Sequence, residues 1–155
     1  MHAQERICPR LEPTIYLVPQ DYILRVIEQV ADMLASILAL RKAGRGAEAA
    51  REIERVCVHA VGLPLALVKR SSPETLLQLL QSGGATQHVR AVMLVELLIQ
   101  DAELSDAAGK RREAVIGWAQ AQALLAHSID NLSRDEQAIY RSKLEALEAR
   151  LLSPS

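Results

Sequence analysis

The residues with the most chemical reach are four acids on one stretch: Glu96, Asp101, Glu103 and Asp106. Carboxylates gathered on one helix can hold a divalent metal, but such sites usually add Glu-x-x-His pairs facing inward. Here the acids fall on different sides of the helix and no histidine joins them, so a solvated edge is expected. His2, His59, His88 and His127 are scattered. No two stand at i, i+4, and none neighbours a cysteine or carboxylate at a metal-binding spacing. They read as surface or core-edge residues. There is no glycine-rich phosphate loop, no Gly-x-Ser-x-Gly turn and no Cys-x-x-Cys pair.

Two basic clusters, Arg41-Lys42…Arg45 and Lys110-Arg111-Arg112, stand at two turns. A helix N-terminus offers free N–H groups to an anion. The simpler role is to balance the carbonyl ends of the preceding helices. Trp118, at helical spacing among apolar residues, reads as core. The expectation is a protein that is not an enzyme, with no catalytic residue, metal or cofactor.

The elements that would position these residues are helices. Asp21 looks like an N-cap. The helix after it runs to about Ala43, with Ile23, Ile27, Val30, Leu34 and Ile37 as its buried stripe and Leu24, Ala31 and Leu38 widening it. Gly44 stops it. A second helix spans about Ala47 to Val61, with Ala49, Ala50, Ile53, Val56 and Cys57 inward. Gly62 ends that one. A short piece around Leu63–Val68 carries Pro64 in its first turn. Ser72-Pro73-Glu74 is a helix start, with a capping serine, a proline at the first helical position and an acid to meet the dipole. Leu76, Leu77, Leu79 and Leu80 follow, and Gly83-Gly84 terminates the run.

Thr86 would cap a helix from about Gln87 to Ala108. Its centre, Val92 to Ile99, is apolar nearly all round, so other helices must surround it. Glu96, Gln100 and Glu103 form one narrow polar strip along it. After Gly109, a helix to about Asp130 puts Ala114, Trp118, Ala121 and Leu125 on one face. Ser133 and Glu136 make a capping box that opens a last helix to about Leu152. The reading is all-α: five substantial helices, two lesser ones and no strand.

Composition agrees. The 155 residues fit one domain, and 50% are apolar but only 3% aromatic, which favours Ala/Leu helix packing. A net charge of −1 gives no basic excess for nucleic acid. Cys8 and Cys57 are too few for a disulfide framework. No run approaches the ~20 apolar residues of a membrane span, and no signal peptide is visible, so the expected location is cytoplasmic.

Two stretches repeat a long helix, a glycine, and an alanine five residues on: Gly44 with Ala49, and Gly109 with Ala114. The second, with Ala102, Gly109, Ala114, Trp118 and Ala121, resembles the tetratricopeptide hairpin. Small residues let two helices approach, glycine makes the turn and the aromatic fills the gap. The first has Ile53 and Val56 where that repeat uses an aromatic and a small residue. The glycines stand 65 residues apart, against about 34 in a regular array.

Asp21-Tyr22-Ile23-Leu24-Arg25-Val26-Ile27-Glu28-Gln29 resembles the opening of a bacterial family, a domain of unknown function. The likeness continues through Leu40-Arg41-Lys42-Ala43-Gly44, the Ser72-Pro73-Glu74 start and Ser82-Gly83-Gly84 to about Ile129. That family brings no assigned activity. Three parts are expected: an irregular arm over 1–19, a helical-hairpin domain over 20–131, and a capping or dimerising helix over 132–155. The leading functional expectation is a non-catalytic protein–protein interaction or scaffold module. The alternative is a small apolar ligand sensor built around Met93. Tyr22, Arg25, Glu28 and Gln29 form a candidate patch for a protein or peptide partner. Tyr140, Leu144, Leu147 and Leu151 form a seam that would cap the stack or join a homodimer.

Overall fold

The computed structural model describes residue 28 and residues 30–81, 87–132 and 134–152. Among them the chain is all-α. The described part of α1 covers 30–42. Then come α2 (Gly46–Val56), α3 (Leu65–Arg70), α4 (Pro73–Gln81), α5 (Gln87–Ala107), α6 (Arg111–Ser128) and α7 (Arg134–Leu152). A π-helical turn, Cys57–Val61, extends α2, and a 3₁₀ turn, Ile129–Asn131, extends α6.

The turns after α1 and α5 are chemically alike. Gly44 and Gly109 hold φ of +76° and +82°, which side chains with a Cβ rarely adopt. Gly44 N–H reaches Arg41 O at 3.0 Å and Arg45 N–H reaches Leu40 O at 2.9 Å; Gly109 and Lys110 repeat the pattern on Asp106 and Ser105. Both are Schellman turns, which satisfy the last carbonyls of a helix.

These turns set the directions. α6 returns antiparallel on α5, so that Gly117 lies against Ala102, and this is the most extensive helix pair in the fold. A Cβ at Gly117 would stand 3.1 Å from the Ala102 Cβ. Gly117→Ala is therefore expected to lose about 1 kcal/mol in urea unfolding, although alanine is the better helix former. Ala102→Gly in the same chain should recover part of that loss.

Gly46 of α2 lies by Leu104, and Val61 by Arg90, so α2 also runs against α5. Val30, Ala31 and Leu34 of α1 meet Val89, Val92 and Met93 near the start of α5, whereas Arg41 reaches Gln100. α1 and α5 therefore run the same way. α7 does too, since Tyr140 meets Glu96 and Arg150 meets Glu103.

The expected apolar centre of α5, Val92 to Ile99, is buried from Val92 to Leu98, and Ile99 is partly buried. Trp118, Ala114, Ala121 and Leu125 of α6 are fully buried, as are Ala49, Ile53 and Cys57 of the α2 arm. Burial, and then the Asp101 charge, pushes the Cys57 thiol up to about 11, so it stays a protonated, inert core residue at neutral pH. Ser72 Oγ accepts the Thr75 N–H at 3.1 Å, as the helix-start reading requires.

In α4, Leu76 and Leu80 are buried and Leu79 is exposed. Three expectations need correction. Ala31 and Leu38 do not widen the buried α1 stripe but are exposed. Regular α2 ends at Val56, and the next turn widens so that Gly62 N–H bonds Cys57 O at 3.0 Å. Pro64 precedes α3 as its N-cap, and its carbonyl takes the Leu67 and Val68 N–H groups. Asp21, the arm over 1–19, Ser82-Gly83-Gly84, Thr86 and Ser133 lie outside the described residues.

Candidate functional site

The polar strip of α5 is where the helices converge. Glu96, expected at a solvated edge, is instead buried, with 8% of its surface exposed. α7 covers it. Lys143 Nζ donates to both Glu96 carboxylate oxygens at 2.6 Å, and the Tyr140 hydroxyl donates to one at 3.3 Å. Burial, followed by the Glu96 charge, pushes the Tyr140 phenol well above its ordinary range, so it remains a donor.

Two turns along, Glu103 accepts two hydrogen bonds and faces a third cation. Arg150 Nη2 donates at 3.0 Å, Trp118 Nε1–H at 3.2 Å, and Arg41 Nη2 lies at 3.8 Å. Arg41 also donates to Gln100 Oε1 at 2.6 Å, which ties α1 to the strip. The Arg150 and Arg111 guanidiniums stand 4.3 and 5.1 Å from the Trp118 ring centre, close enough for cation–π attraction. Arg111 further pairs with Asp106 at 3.1 Å, and Lys69 with Asp101 at 2.8 Å. The basic residues at the turns thus answer carboxylates: Arg41 and Arg111 as above, and Arg45 on Glu48.

Beside this network, α1, α5 and α7 line a half-open apolar cavity of about 70 Å³. Val30, Ala31, Leu34, Val92 and Met93 line it, with Glu96 and Tyr140 at its polar edge. Among the described residues, no three His, Cys, Asp or Glu side chains cluster as metal ligands would. No described helix is long and apolar enough to cross a membrane. Of the candidate partner patch, Glu28 is exposed, while Tyr22, Arg25 and Gln29 lie outside the described residues. The seam Tyr140, Leu144, Leu147 and Leu151 packs on the core within the chain, with Leu147 buried and the others partly buried.

Arg90 and Gln120 carry long-range contacts that the sequence does not announce. Arg90 Nε and Nη2 donate to Val61 O at 2.9 and 2.5 Å, and Nη1 reaches Leu80 O at 3.5 Å. Gln120 Nε2 donates to Val68 O and Ser71 O at 2.6 and 2.8 Å. Each side chain satisfies the end of a short helix from elsewhere in the chain. Lys143 and Arg150 did carry a signal: they stand seven residues apart, as Glu96 and Glu103 do.

The site and fold define an all-α protein in which Glu96, Gln100 and Glu103 of the α5 strip are each engaged by neighbouring helices. Compared with known proteins, the chain matches no family model, no curated protein and no solved structure.

Proposed function

We propose that this chain is a non-catalytic protein–protein interaction module of tetratricopeptide-like type. It would take a peptide or helix along the face where α1, α5 and α7 run side by side. The observation that carries this is helix direction. α1, α5 and α7 point one way around a shared cavity, and α2 and α6 return behind Schellman turns. Stacked hairpins commonly use such a face for extended or helical ligands.

Leu38 follows Ala31 and Leu34 along the same side of α1 and is partly exposed. The test is affinity capture by the wild-type chain, with its retained protein identified and titrated. Leu38→Glu should weaken that protein's binding by about tenfold or more, since a charge cannot be desolvated there without a partner. Full retention by the variant, or no retained protein above control, would remove the reading.

The second reading, an apolar ligand sensor, draws on the cavity at Met93. Its volume of about 70 Å³ counts against it, because ligand pockets run to roughly 300–1,000 Å³.

A further inference from the structure

We propose that the outer face of α6, turned away from α5, is a self-complementary surface through which two copies of this chain pair antiparallel. It is a different surface from the α1–α5–α7 face and goes beyond that reading.

α6 is apolar on two opposite sides. Ala114, Trp118, Ala121 and Leu125 face the core and are fully buried. On the other side, Val115 and Ile116 stand 37% and 57% exposed. Ala119 and Ala126 continue that side, exposed, with Ala123 half-buried between them. From Ala114 to Ile129 the chain has no Asp, Glu, Lys or Arg. The outward side of a surface helix ordinarily carries such charges, and a helix apolar all round is one that another element covers. No described element covers this side of α6.

The two ends of the face identify its occupant. Arg112 opens it and Asp130 closes it, 18 residues on. That separation is about five helical turns, or about 27 Å, so both charges lie on the same side as Ile116 and Ala119. Both residues are exposed, and neither side chain has an ion-pair partner among the described residues. Two copies laid parallel would set like charges together at each end. Laid antiparallel about the level of Ala121, they set Arg112 of each copy against Asp130 of the other. The same register brings Ile116 of each copy to Ala126 of the other, and Ala119 to Ala123. A large side chain thus meets a small one, and alanines meet where the helices approach, which lets the two axes come close. The contact is isologous and closes on itself as a twofold dimer. One helix face offers well under the roughly 800 Å² per partner of a standard interface, so the pairing is weak and depends on concentration.

Sedimentation equilibrium of the full chain, from about 10 μM to about 1 mM, tests this. The mass should rise towards twice that of one chain. Ala119→Glu puts two carboxylates at the centre of the contact and should weaken association about a hundredfold. Ala119 is exposed, so this variant should keep the wild-type helical circular dichroism. Arg112→Asp and Asp130→Arg should each weaken association about tenfold, since each sets like charges together at both ends. Their equimolar mixture pairs opposite charges at both ends and should recover the wild-type strength. A wild-type chain that stays monomeric throughout overturns the proposal, and so does a dimer that Ala119→Glu leaves intact. A mixture no tighter than either variant alone overturns the antiparallel pairing. If the wild type is monomeric and Ala119→Glu lowers its unfolding midpoint, another segment of the same chain covers the face, and the second copy is overturned as occupant. Each of these outcomes leaves the interaction reading standing, because capture of a partner is tested separately at Leu38.

Discussion

Trp118→Ala is expected to lower unfolding free energy by about 3–5 kcal/mol, the usual cost of emptying a large aromatic site. The residue is fully buried in α6 and ties three elements together. Its ring packs at the α5–α6 contact, its N–H donates to Glu103, and the Arg150 guanidinium of α7 stands over it. The indole therefore supplies apolar area, a donor and an electron-rich face at once. A domain of ordinary stability has only about 5–15 kcal/mol in total, so the variant should unfold early in urea or fail to accumulate. Trp118→Phe separates the contributions. It keeps a ring but removes the N–H, and should cost about 1–2 kcal/mol from the donor that Glu103 loses. Equal losses for the two variants would mean that the hydrogen bond, not packing, dominates.

Arg90→Leu should cost about 2–3 kcal/mol, the range for a lost hydrogen bond from a charged donor plus an acceptor left without a partner. Arg90 bonds the carbonyl at the end of the widened turn after α2 and reaches the Leu80 carbonyl near the end of α4. Leucine fills similar space but donates nothing. Arg90→Lys keeps the charge without the planar fork and should fall between the two. Amide hydrogen exchange locates the effect: protection should drop in the 57–63 turn before it drops in α6. A uniform loss of protection would show Arg90 acting on global packing instead. Gly62 adds a second constraint, since its φ of +88° brings the position of a Cβ within 3.1 Å of Arg90 Nη2.

How much was legible in advance follows from which forces act locally. Apolar periodicity is a local signal, and it located the helices because each must bury one stripe. The buried run of α5 and the inward face of α6 followed from it. Ser72-Pro73-Glu74 and the glycines at 44 and 109 were legible for a related reason: caps and left-handed turns depend on residue type within a few positions. The burial of Trp118 came from spacing alone.

Electrostatic roles were not legible in the same way. Glu96 looks like a polar interruption on an apolar helix, and a helical wheel cannot tell an edge facing water from one facing a lysine. Only the packing of α7 along α5 decides it, by bringing Lys143 across 47 residues of sequence. The exposure of Leu38 and Leu79 was decided likewise by which neighbour stands where, not by their spacing. The carbonyls that Arg90 and Gln120 satisfy belong to α2, α3 and α4, and no residue near those helix ends marks the need. The sequence by itself determined that the chain is helical and which stripes must be buried, because helix propensity, capping and apolar periodicity act within a few residues. Tertiary structure alone decided which charges meet: the seven-residue spacing shared by Glu96 and Glu103 and by Lys143 and Arg150 is legible in the sequence, but only packing brings α7 onto α5.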